Sequence, residues 1–223
     1  NIDGQPADKD GKGGISILRE DGTMLKADFV TGLNAPKGLG MYKNLLYVAD
    51  LTEVVVIDRT TGAILKKIPV PGSVFLNDIA VNHNGIVYVS DTRVNKVYKI
   101  EKGFVAPIAE NLQGPNGLYS LGDDLLVLDH GQLLRILADG GNGIIATGMD
   151  PSTDGLEQVK PNEYLVSAWN GVIYYVQNGH TPQIMLDTRS EKKNTADIGY
   201  NPSEKIVYVP TFYGNRVIAY RLK

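Results

Sequence analysis

From Phe75 to Asp91 the chain alternates apolar and polar residues (FLNDIAV), breaks at His-Asn-Gly, and resumes as the β-branched, aromatic run IVYVSD. Alternation with period two marks a half-buried strand, and Asn-Gly supplies a hairpin turn. The stretch therefore predicts strand, turn, strand. The same pattern recurs in Ala35–Asp50 (APKGLGMYKNLLYVAD), Gly114–Asp129 (GPNGLYSLGDDLLVLD), Thr153–Trp169 (TDGLEQVKPNEYLVSAW) and Ala196–Phe212 (ADIGYNPSEKIVYVPTF). A third strand is predicted after each of these hairpins, over Val54–Asp58, Lys96–Ile100, Leu133–Ile136, Val172–Val176 and Arg216–Leu222. A fourth, more polar strand follows on the outer edge in all but the last.

Copies spaced by roughly 40 residues, four strands to a copy, predict an all-β fold, a β-propeller with one blade per repeat. Blades are expected from about 35 to 72, 73 to 112, 113 to 149, 150 to 193 and 194 to 223. Ile15–Leu18 and Ala27–Val30 read as the third and fourth strands of a further blade, and Asn1 takes the place that Asp50 or Asp91 holds at the end of a second strand. A propeller closes by completing one blade from both chain ends, which hides its edges. The expectation is a single domain over 1–223, a six-bladed β-propeller of four-stranded blades. Its first blade is partly missing, with about 40–60 residues expected before Asn1 by the repeat arithmetic. The alternative is five-bladed, with Ala27–Val30 completing the last blade.

One polar position repeats with the strands. Lys37, Asn77, Asn116, Asp154 and Asp197 stand at the start of successive first strands, separated by 40, 39, 38 and 43 residues. First strands of propeller blades line the central channel, so these five side chains are expected to share one mouth of it. Asn77, Asn116 and Asp154 would offer two amide oxygens and a carboxylate, hard ligands suited to Ca2+, with Mg2+ or Mn2+ as alternatives. No position of the set is His, which argues against zinc. The bland reading, that Asn and Asp before Gly are turn residues, explains one or two copies better than five. Lys37 is expected to pair with Asp197. Second strands return to the same mouth, which places Asp50, Asp91, Asp129, His130, Trp169, Thr211 and Phe212 at its rim. Trp169 and Phe212 would form an apolar wall.

Composition narrows the functions. The 223 residues are 43% hydrophobic, enough for a real core, and the net charge of −3 comes with no Lys/Arg cluster, which speaks against nucleic acid. Cysteine is absent, removing disulfides and thiolate chemistry. No apolar run approaches the ~18 residues of a membrane span. Asp8 and Asp10 faintly echo a calcium loop, but Lys12 and the lack of a closing Glu break the spacing, and Gly11-Lys12 lacks the first glycine of a phosphate loop. No Ser-His-Asp set or nucleophile elbow appears.

At Leu76–Asp78 (LND), Pro115–Leu118 (PNGL), Asp154–Leu156 (DGL), Trp169–Gly171 (WNG) and Ala196–Phe212 the chain resembles the senescence marker protein/gluconolactonase/luciferin-regenerating enzyme family of six-bladed, regucalcin-like propellers. The resemblance covers essentially the whole chain and implies one divalent cation, usually calcium. It implies Asn116 and Asp154 as metal ligands and Asn77 as ligand or substrate contact. A further Glu ligand would lie before Asn1, and the arginine that binds sugar lactones is Phe75 here, which points to a less polar substrate. The implied activity is metal-dependent hydrolysis of a lactone or related ester; by the channel reading Asp154 and Asp197 are the expected catalytic carboxylates, with Lys37, Phe75, Asp91, His130, Trp169 and Phe212 expected around the substrate. The expected protein is a monomer with a small-molecule substrate, periplasmic or secreted. The rivals are a propeller that binds a small molecule or a protein without catalysis, and a scaffold.

Overall fold

The computed structural model describes residues 2–222, so the reading of Asn1 lies outside it. The chain forms two compact units, one up to Gly114 and one from Pro115 on. In the N-terminal unit β1 (Gly13–Leu18) and β2 (Met24–Leu33) pair as a two-stranded antiparallel sheet. β3 (Pro36–Tyr42), β4 (Leu45–Asp50), β5 (Glu53–Asp58) and β6 (Ile64–Pro69) form a four-stranded antiparallel blade in sequence order, and β7 (Leu76–Val81), β8 (Val87–Asp91), β9 (Lys96–Glu101) and β10 (Phe104–Ala109) form the next.

The C-terminal unit repeats the plan. β11 (Pro115–Leu121), β12 (Asp124–Asp129), β13 (Gln132–Ile136) and β14 (Asn142–Ala146) make one blade. β15 (Thr153–Lys160), β16 (Glu163–Ala168), β17 (Val172–Gln177) and β18 (Gln183–Asp187) make another. β19 (Gly199–Asn201), β20 (Ile206–Pro210) and β21 (Val217–Arg221) form a three-stranded sheet. The described residues carry five blades, one on each repeat, which is the number of the five-bladed alternative rather than six. The strands that argued for a sixth lie in β1 and β2, a sheet of their own. No helix among the described residues is long and apolar enough to cross a membrane.

Burial explains the order of strands within a blade. The second strands, such as LLYVAD in β4 and EYLVSA in β16, are covered on both faces and therefore read as nearly unbroken apolar runs. The fourth strands, ILKKIP in β6 and QIMLD in β18, face solvent and are mixed. The core lies between neighbouring blades: Tyr47, Val54 and Ile68 against Leu76, Ile79 and Val89 in the N-terminal unit, and Leu126, Leu128 and Leu133 against Leu156, Tyr164 and Val166 in the C-terminal unit.

Carboxylates lock the blade entrances. Asp50 is fully buried and accepts from the backbone N–H of Asn34 at 2.9 Å, the N–H of Ala35 at 2.7 Å and the Asn34 Nδ2 at 3.2 Å. Asp50→Ala strands those buried donors, and removing one partner of a buried polar set costs about 1–3 kcal/mol per group left unpaired. The expected result is a loss of roughly 2–4 kcal/mol in urea unfolding; a loss within ~0.5 kcal/mol, the range of ordinary surface changes, would show that the lock is dispensable.

Candidate functional site

Each four-stranded blade carries a one-residue bulge at the start of its first strand. Thr153 lies opposite Ala168 but Leu156 lies opposite Val166, so β15 holds one residue more than β16 over this stretch. The same offset occurs between Pro36 and Leu39, between Leu76 and Ile79, and between Pro115 and Leu118. The bulges contain Lys37, Asn77, Asn116 and Asp154. A bulge bends its strand and re-aims a side chain, which is why such features gather beside active sites. Buried serines brace two of them: Ser90 Oγ accepts from the Asp78 N–H at 2.9 Å, and Ser167 Oγ accepts from the Gly155 N–H at 2.8 Å.

In the C-terminal unit the bulges of β11 and β15, with the approach to β19, bring Asn116, Asp154 and Asp197 together. A Cβ on Gly117 would collide with the Asp154 carbonyl, and one on Gly155 would meet the Ile198 nitrogen and, at 2.8 Å, Asp197 Oδ1. The two glycines therefore allow successive first strands to approach closely enough for the preceding polar side chains to meet. Asn116 Nδ2 donates to Asp154 Oδ1 at 3.0 Å, while Asn116 Oδ1 is buried with no partner.

The charge balance is unusual. Burial pushes Asp154 up to about 8, the Asp197 carboxylate adds to the rise, and the Asn116 hydrogen bond opposes it. Burial raises Asp197 to about 6 against the pull of the Ile198 N–H. Glu157 rises to about 7, first by burial and then by the charge of Asp197, although the Tyr200 N–H bonds to it. Three desolvated carboxyl groups thus share one region, and among the described residues no cation of this unit figures in the groups acting on them.

Sequence reasoning missed Glu157. In a regular strand residues 154 and 157 point to opposite faces. The extra residue resets the alternation, and both carboxylates come within range of Asp197.

An aromatic group stands at the same strand ends. The Trp169 N–H donates to Ser152 O at 2.8 Å, and the Ala196 N–H donates to Pro210 O at 3.0 Å, which sets Trp169 and Phe212 just beyond the strands that flank Asp154 and Asp197. Trp169 and Phe212 meet edge to face at 5.7 Å. Tyr213, unforeseen from the sequence, packs on both at 6.0 and 4.7 Å and is 72% exposed. Phe212 has φ 48°, a left-handed conformation that is strained for a bulky residue and marks the turn that presents these rings.

The other expected residues have settings of their own. His130 is an exposed residue with φ 48° in the turn between β12 and β13. In the N-terminal unit Asn77 Nδ2 donates to Thr92 Oγ1 at 2.9 Å. Asp91 is wholly buried, and its carboxylate accepts from the N–H groups of Val74, Phe75, Arg93 and Val94, so its part is structural rather than substrate contact. Lys37 Nζ donates to Ala35 O at 2.9 Å and sits 4.2 Å from the Phe75 ring centroid.

Solved structures share this architecture at low identity. Virginiamycin B lyase from Staphylococcus aureus gives a TM-score of 0.63 with 13% identity over 84% of this chain and 70% of that one. A catalytically inactive variant of that lyase with quinupristin gives 0.71 with 12% identity over 92% and 72%. The nidogen/laminin complex gives 0.77 with 16% identity over 93% and 84%. These neighbours are β-propellers, and the chain has the β-propeller fold. No family model and no curated protein sequence matches it.

Proposed function

We propose that the chain is a metal-dependent hydrolase of a lactone or related ester, of the senescence marker protein/gluconolactonase/luciferin-regenerating enzyme type. The observation that carries the reading is the meeting of Asn116, Asp154 and Asp197, with one amide oxygen buried and unpaired. Among the described residues no three His, Cys, Asp or Glu side chains gather closely enough to hold a metal alone. A metal here therefore needs the amide oxygen. Hard oxygens on carboxyl groups whose ionised forms a cation would stabilise fit Ca2+, or Mg2+ or Mn2+, and Asn116 and Asp154 are the residues that would hold it. A bound cation supplies Lewis-acid polarisation of a carbonyl.

The chain's own residues do the rest. Asp197, raised toward the working pH range, takes the proton of the attacking water at a carboxylate oxygen. The hydroxyl adds to the carbonyl carbon, the acyl C–O bond breaks, and the proton passes to the departing alcohol oxygen. Glu157 lies within range of the Asp197 charge, which helps to hold it protonated. Trp169, Phe212 and Tyr213 offer rings to an apolar portion of the substrate, in keeping with Phe75 in place of a sugar-binding arginine.

The test is a thermal melt in chelator and in millimolar Ca2+, followed by turnover of a lactone and aryl-ester panel. A ligand at ~100-fold over its Kd stabilises by about 2.7 kcal/mol, so a clear upward shift with metal-dependent turnover is expected. Neither shift nor turnover would sink the proposal. A second reading, a non-catalytic binding propeller, draws on the exposed aromatic group and the likeness to the nidogen/laminin complex. It is separated by the chain's one tryptophan: Trp169 fluorescence that responds saturably to a ligand while nothing is hydrolysed would favour binding alone.

A further inference from the structure

The N-terminal unit gathers two cations on one aromatic ring. Lys37, in the bulge of β3, places Nζ 4.2 Å from the Phe75 centroid, and Arg93, just after β8, places its guanidinium carbon 4.3 Å from the same centroid. Three strand ends at one edge of neighbouring blades supply these residues: the start of β3, the approach to β7 and the exit of β8. Like charges so placed repel, and a single ring compensates only weakly.

The nearest carboxylates do not neutralise them directly. Asp50 and Asp91 are fully buried, and their oxygens are taken by backbone N–H groups. No ion pair within this unit involves Lys37 or Arg93 among the described residues. Lys37 spends one of its three N–H donors on Ala35 O, leaving two, and the five donors of Arg93 meet no protein acceptor among them. Arg93 is exposed and Lys37 half-buried, so the donors are reachable from solvent.

We propose that Lys37 and Arg93, both in contact with the Phe75 ring, form a binding site for the anionic group of a small molecule, a carboxylate or a phosphate. The guanidinium fork matches the paired oxygens of either group, and the ammonium adds a point donor. The setting of Lys37 agrees. Burial first pushes its amine down to about 8, Arg93 pushes in the same direction, and Asp50 and Asp91 pull back; a bound anion would restore the balance. The proposal is argued from residues of the N-terminal unit alone and does not depend on the hydrolase reading.

The experiment is calorimetric titration of the whole chain with sodium benzoate and, separately, inorganic phosphate in buffered chloride, for the parent and for Arg93→Gln and Lys37→Met. Saturable binding of at least one anion, weakened ~10-fold or more in Arg93→Gln, is the expected result, and which anion wins identifies the group. Arg93 is on the surface, so its variant keeps the fold and decides the matter even where Lys37→Met is too unstable to titrate. Binding of neither anion, or equal affinity in parent and Arg93→Gln, overturns the site.

Discussion

Asp154→Asn is expected to abolish Ca2+-dependent stabilisation and to lower hydrolysis by on the order of 10^2-fold or more, while the metal-free variant is at least as stable as the parent. The two halves of this result have different causes. Asparagine has the shape of aspartate, and its amide oxygen can still accept from Asn116 Nδ2. What it removes is the ability to ionise when a cation arrives, in a group whose charged form burial and Asp197 already oppose. In a purely structural role that charge would be paired, and deleting it would cost stability. No ion pair among the described residues involves Asp154, so a variant that cannot ionise separates the structural role from the proposed one. Melting curves in chelator and in Ca2+, with initial rates on the same preparation, check both halves. Unchanged metal response and unchanged rates would remove Asp154 from the site. A marked loss of metal-free stability would assign it a structural part.

How far the site was readable follows from how each residue signals itself. Repetition made the blades legible: the hairpin read in Phe75–Asp91 is β7 and β8, and third strands predicted at Val54, Lys96 and Val172 lie in β5, β9 and β17 within a residue. Repetition also singled out Asn116, Asp154 and Asp197. Strand-end aspartates misled, because Asp50 and Asp91 occupy the rim in sequence but turn inward to collect backbone N–H groups. The bulges were hidden, since an extra residue leaves no mark on composition, and with them went Glu157. Tyr213 and Arg93 lie just past strand ends, where no periodicity fixes direction; only contact with Phe212 and Phe75 reveals them.

The metal-free protein should lose stability as pH rises from 5 to 8, the reverse of what salt-bridged carboxylates produce. Asp154, Glu157 and Asp197 have raised values in the folded chain, about 8, 7 and 6, against ordinary values of 3.8, 4.5 and 3.8. Between those limits the folded state keeps protons that the unfolded chain has released, so the slope of unfolding free energy with pH is negative. Their contribution is fully present below the ordinary values and is lost as pH climbs through the folded ones. Carboxylates shifted the other way do not mask it. Asp124, held down by Arg135, and Asp187, held down by Arg189, contribute stability that disappears only below about pH 4. Lys37, lowered to about 8, acts above that pH, which sets the upper bound of the window. Each pK unit that survives coupling and solvent screening is worth about 1.4 kcal/mol, or on the order of 3–6 °C in a chain of this length. Saturating Ca2+ should flatten the profile, because the cation takes over the neutralising part of the protons, and Asp154→Asn should flatten its upper half. A profile that is level from pH 5 to 8 in chelator would mean that the three carboxylates are already compensated, and the argument for a cation among them would fall with it.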